Sequence, residues 1–211
     1  MAFQGFPGFS QKDFETFQID GLEDRMDAIR ERIQPKFQEI GDYLTEELSM
    51  KLRKEMHLHI AQHARRSKNP PNDTWLGIAD DKRGYKKHPH FQVGLFDDHV
   101  FLWLAFIYEL PHKSEIAKSF LENRNKIERL PKKFVISPDH MNKNAYTLKD
   151  TQGEDLVEVL ERFRDVKKGE FLIGRHIMHD DPLLQDGEAF LLEAKKTFEK
   201  LIPLYRLSLK A

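Results

Sequence analysis

The chain has 211 residues, of which 39% are hydrophobic and 33% charged, with 16 Phe, no Cys and a formal net charge of −1. This composition fits a globular protein with an aromatic core and excludes a disordered chain, a disulfide framework, a thiolate metal site and a cysteine nucleophile. The longest apolar run, Val100 to Tyr108, is nine residues, against the roughly 20 that a membrane helix needs.

The expected setting is therefore soluble and cytoplasmic, with no membrane partner. A cysteine-free chain sits most easily in a reducing compartment, and MAFQGFPGFS lacks the basic and apolar regions of a signal peptide. The near-neutral total hides a segregation of charge. Residues 1–47 hold 5 Lys and Arg against 11 Asp and Glu, a balance of −6. Residues 48–92 hold 10 against 4, a balance of +6, and five of the ten His. Either the acidic helices dock on the basic middle, or the middle presents a positive surface to an anion. The strongly basic balance of a dedicated nucleic-acid binder is absent.

In chain order, a short helix is expected over Phe9–Ile19 with Ser10 as its N-cap, followed by a helical stripe over Leu22–Tyr43 interrupted near Pro35. Thr45 then caps a long helix to about Arg66, which ends before the NPPN loop of Asn69–Asn72. Strands are expected at Thr74–Ala79, His90–Phe96 and His99–Leu110, the last two joined as an antiparallel hairpin by Asp97-Asp98. The unbroken apolar run in the third strand marks it as buried on both faces. A helix over Lys113–Leu130, short strands at Phe134–Ser137 and Ala145–Leu148, a helix over Gln152–Lys167, a strand at Phe171–Ile177 and a closing helix over Asp186–Leu209 complete the pattern. The reading is one α+β domain over 1–211: a helical part at 9–67, a mainly antiparallel sheet of about six strands within 74–177, and a C-terminal helix at 186–209.

Three constellations can carry chemistry. On the expected long helix, at about 100° per residue, His59, His63 and Arg66 continue the apolar stripe of Leu48, Leu52 and Met56, with His57 on the opposite side. His59 and His63 at i and i+4 have the spacing of a helical zinc pair, but HIAQH lacks the glutamate that zinc peptidases use as base, and no metal site is assigned. The alternatives are a meeting with the negative end of their own helix, or a bound anion. The second constellation is the loop Asp80–His90, where Arg83 offers a planar fork for phosphate or carboxylate and Lys86 and Lys87 offer point charges. His88 and His90 lie at its end, Gly84 permits a turn with positive φ, and Gly77 suggests a bulge or a close approach. A solvated hairpin loop is the plainer reading. The third is GRHIMHDD, where Arg175, His176 and His179 end a strand before Pro182; a structural role is favoured there. No P-loop, dinucleotide fingerprint, nucleophile elbow or paired phosphoesterase histidine motif is present.

The segments TWLGI, RGYKKHPHFQVGLF and HVFLWLAFIYE, with the opening GFSQKDFETFQIDGLEDRM and the late GEFLIGRHI, resemble the YktB-like family of uncharacterised bacterial proteins. The resemblance covers nearly the whole chain and implies one cytoplasmic α+β domain of about this length from a low-GC Gram-positive bacterium. It carries no activity, cofactor or catalytic residue. The expected function therefore rests on residue chemistry: binding or turnover of an anionic, phosphorylated small molecule at a pocket of His59, His63, Arg66, Arg83, Lys86 and His88, with His90 and Arg175 as further candidates. The alternative is a non-catalytic module that binds RNA or a protein partner through the basic loop and aromatics such as Tyr85. No cofactor is read from the sequence.

Overall fold

In the computed structural model, which describes residues 5–211, the chain enters its first helix at Ser10. The Asp13 carboxylate accepts from the Ser10 backbone N–H at 2.6 Å and the hydroxyl at 3.1 Å, which fixes the start of α1 (Gln11–Glu15). Residues 1–4 of the stretch read as lacking a signal sequence lie outside the described residues. A 3₁₀ turn follows, then α2 (Leu22–Ala28), a π-type turn over Ile29–Ile33 and α3 (Gln34–Leu52). Pro35 does not break this helix. It has no N–H and crowds the carbonyl four residues back, and the widened turn just ahead of it relieves both problems.

The long helix expected from Thr45 to Arg66 is corrected. Thr45 lies inside α3, Arg53 takes a left-handed φ of 54° that ends the helix, and His57–Ile60 form β1. Leu58 and Ile60 alternate with His57 and His59, a period of two that a strand uses. Leu58 packs so closely on α3 that a Cβ at Gly41 would fall 2.4 Å from its Cδ1. Only glycine admits this contact.

β2 (Thr74–Ala79), β3 (His90–Leu95) and β4 (His99–Phe106) follow, with β3 and β4 joined through Asp97-Asp98 as expected. The expected helix over 113–130 divides at Asn123 into α4 (Lys113–Glu122) and α5 (Arg124–Glu128). Then come β5 (Val135–Ser137), β6 (Tyr146–Thr147), α6 (Glu154–Asp165), β7 (Phe171–Met178) and α7 (Gly187–Ser208), in which Pro203 lies inside the helix. The strands make one antiparallel sheet of seven in the order β1-β2-β3-β4-β7-β5-β6, so the fold is α+β as read, with β1 as the additional strand.

One face of the sheet is covered by helices. Leu76, Ile78, Phe91, Val93, Leu102, Leu104, Phe106 and Ile173 pack there against Ile33, Phe37, Leu44, Phe120, Phe163, Phe190 and Phe198. The other face has no helix on it and holds a smaller cluster of Phe96, Phe101, Trp103, Ala105 and Leu172. β4 is buried on both faces, as its unbroken apolar run requires. No ion pair among the described residues joins an acid of residues 5–47 to a base of 48–92. Lys51 pairs with Glu199 at 2.9 Å, Lys54 with Asp80 and Lys86 with Glu109 at 3.6 Å. The acidic helices dock through the apolar stripe Met26, Ile29, Ile33, Phe37 and Ile40, and the positive charge of the middle segment stays on the surface. Among the described residues no helix is long and apolar enough to cross a membrane.

Candidate functional site

The register of β1 on β2, His59 opposite Gly77, places His59 on the helix-free face. Both neighbouring strands continue in register through Gly77, so it forms no bulge. Its missing side chain instead makes room for Tyr85, whose ring would lie 3.1 Å from a Cβ there. The Tyr85 hydroxyl accepts from Trp75 Nε1 at 2.9 Å, and burial pushes it up to about 12, so it stays a neutral phenol. The β2–β3 loop folds over this pair. Asp81 Oδ1 accepts from the Arg83 backbone N–H at 2.6 Å, and His88 N–H donates to the Tyr85 carbonyl at 3.0 Å. Gly84 does not take a positive φ, contrary to expectation.

A cleft of about 560 Å³ results, with Tyr85 as its apolar wall and His59, Arg83, Lys86, Lys87 and His88 around it. Asp81 and Glu109 are the acids on its rim. His59 Nε2 bonds the Asp81 carbonyl at 2.9 Å, and His88 sits 3.3 Å from Asp80 and 3.5 Å from Asp81. Arg83 and Lys87 form no ion pair with any described residue, and Lys86 reaches Glu109 only at 3.6 Å.

The remaining expected residues lie elsewhere. His59, His63 and Arg66 share no helix face, and His57 and His59 point to the same side of β1 rather than to opposite sides. His63, at φ 49°, sits in a loop, holds Thr74 Oγ1 at 3.1 Å and lines a second cleft of about 390 Å³ with Arg66 and Arg30. Burial, and then the charge of Arg66, pushes it down to about 4. His90 is fully buried behind Tyr85, donating from Nδ1 to the His88 carbonyl at 2.8 Å and accepting from Gln92 at 2.8 Å through Nε2. Burial pushes it down to about 4, which keeps that neutral tautomer in place. Arg175 projects toward α7, where it pairs with Glu193. His176 stacks on His99 with ring centres 3.9 Å apart.

Sequence reasoning missed a further group on the helix-free face. Glu170, 2% exposed, accepts from the Tyr108 backbone N–H at 3.2 Å, from the His140 backbone N–H at 2.8 Å and from His140 Nδ1 at 2.8 Å. Burial opposes the imidazolium of His140, but Glu170, Asp73 and Asp139 outweigh it and raise its pKa. Asp73, also 2% exposed, leaves Oδ2 without a partner, and burial pushes its carboxyl up to about 6. Trp75 presents a T-shaped contact to His140 at 6.3 Å. The Trp75–Tyr85 pair therefore stands between this group and the cleft.

The model of the family described as "Domain of unknown function (DUF1054)" matches residues 9–205. The chain belongs to this family. Its relatives include UPF0637 proteins of Oceanobacillus iheyensis, 58% identical over 96% of this chain and 97% of that one, and of Shouchella clausii, 60% identical over 97% and 96%. A UPF0637 protein of Exiguobacterium sibiricum is 52% identical over 94% and 96%. The family resemblance read from the segments around the central sheet is thus shown across nearly the whole length. In this DUF1054 member the cleft is suited to holding an anion against an apolar wall. The Glu170–His140 pair is suited to orienting an imidazole.

Proposed function

We propose that this protein binds an anionic, phosphorylated small molecule in the cleft between β1 and the β2–β3 loop. The observation that carries the reading is a set of cations around a concave site that are not neutralised by carboxylates: among the described residues Arg83 and Lys87 are without ion pairs, and Lys86 is held only loosely. Arg83 supplies a fork for two phosphate oxygens, the lysines supply charge, and Tyr85 supplies a surface for an apolar or ring portion. A volume of about 560 Å³ falls within the range of small-molecule sites. His63 and Arg66, in their own cleft, are not part of this proposal. The RNA-binding alternative asks for Tyr85 as a free stacking ring. The ring packed on Gly77 and bonded to Trp75 favours the small ligand. The absence of Cys supports a cytoplasmic setting.

A thermal-shift screen of nucleotides and sugar phosphates tests the proposal. A ligand present at about a hundred times its Kd stabilises by about 2.7 kcal/mol, and Arg83→Ala should remove that shift while leaving the unliganded melt unchanged. A flat screen, or a shift that Arg83→Ala and Lys87→Ala both retain, overturns it.

A further inference from the structure

We propose that Asp139, His140 and Glu170 form a binding site for a divalent transition-metal ion of the zinc or manganese class. One candidate ligand atom from each residue lies within 4.8 Å of the other two. An imidazole with two carboxylates is a donor set that such ions accept, and soft-metal alternatives lack their thiolates in a chain without Cys. The site is held from outside. The backbone N–H groups of Tyr108 and His140 pin the two oxygens of buried Glu170, so its carboxylate is fixed at the junction before any ion arrives.

Distances decide what an ion must change. His140 Nδ1 stands 2.8 Å from Glu170 Oε2, joined by a proton. With bonds of about 2.1 Å and tetrahedral angles, a bound zinc spaces its donors by about 3.4 Å. The ion therefore takes the place of that proton with a shift of well under an ångström. Asp139 is exposed; its Oδ1 accepts from the Met141 N–H at 2.8 Å, and its other oxygen can turn to the ion. It borders two surface clefts of about 430 and 730 Å³, which give an ion access.

A second observation points the same way. Asp73 Oδ2 is buried without a hydrogen-bond partner among the described residues, and the charged group that acts on it most is His140. Two residues on, the Trp75 ring meets His140. A buried, unpartnered carboxylate in the field of this imidazole, with two more carboxylates at the cluster itself, makes a surplus of negative charge that a divalent cation relieves. Three protein ligands leave one position of a tetrahedral ion for water.

The test is calorimetric titration of the chelator-treated full chain with Zn²⁺ and with Mn²⁺, in two buffers of different ionisation enthalpy. The expected result is one ion per chain, with the two buffers separating the binding enthalpy from any proton exchange. Asp139→Asn changes an exposed side chain and keeps the oxygen that accepts from Met141 N–H, so the fold is retained. It should weaken binding about ten-fold or more, and His140→Ala should abolish it. No saturable binding at millimolar ion overturns the proposal. So does binding that Asp139→Asn and His140→Ala leave unchanged, or binding that is lost instead in His59→Ala.

Discussion

The two faces of the sheet are made by the same strands and do different work. On the covered face the central strands set aliphatic or aromatic residues that are fully enclosed: Leu76 and Ile78, Phe91 and Val93, Leu102 and Leu104. On the opposite face the alternate positions carry His59, Trp75, Gly77, His90, Gln92, Gly94, Trp103, Gly174 and His176. Large rings there lie over glycines, and the imidazoles of His59 and His90 are held by hydrogen bonds to loop carbonyls. Period-two alternation thus separates a stabilising surface from one that can recognise or react, within strands six to eight residues long.

The comparison breaks most sharply at Phe91, which packs its ring on Phe198 and Tyr205 at 5.0 and 5.2 Å. Phe91→Ala should cost about 4 kcal/mol in urea unfolding, more than any truncation on the open face. The next largest effect is acid sensitivity of the open face. His90 is neutral in the fold, with its pKa pushed from 6.5 to about 4, so the unfolded chain takes up the proton first. Its stabilisation is complete above pH 6.5 and is lost as pH falls toward 4, a total of about 3 kcal/mol. Asp73 works in the opposite sense: with its pKa raised to about 6, it subtracts stability as pH rises from 3.8 to 6. Unfolding midpoints between pH 4 and 7 should therefore flatten in His90→Phe and steepen in Asp73→Asn.

A smaller effect sharpens the comparison further. Trp75→Phe deprives the Tyr85 hydroxyl of its donor, and a cycle with Tyr85→Phe should return a coupling of about 1 kcal/mol in thermal melts. Lys87→Ala should change stability by no more than about 0.5 kcal/mol, since the exposed ammonium holds nothing in the fold, yet it should reduce the ligand-induced shift.

What the sequence disclosed follows from how local each signal is. The run Val100–Tyr108 is buried on both faces in any arrangement, and Asp97-Asp98 between two strands leaves little choice but a hairpin, so the centre of the sheet was readable. The basic loop was readable because its charges are consecutive. β1 was not, because Leu48, Leu52 and Met56 prolong a helical stripe into a strand of four residues, and only the left-handed turn at Arg53 ends it. That one error moved His63 and Arg66 out of the cleft assigned to them. Glu170 and His140 meet across 30 residues through a loop that has no periodicity, and no single-chain pattern announces such a pairing.

The order of the strands has a consequence for how copies of the molecule behave beside one another. An open sheet has two edges whose free backbone groups invite another strand. Here one edge is β1, four residues long with two histidines, and the other is β6, only two residues long. The long apolar strands β3, β4 and β7 are all interior. A molecule built this way can keep a histidine- and tryptophan-rich face free of helices without offering its neighbours a template for fibrous association.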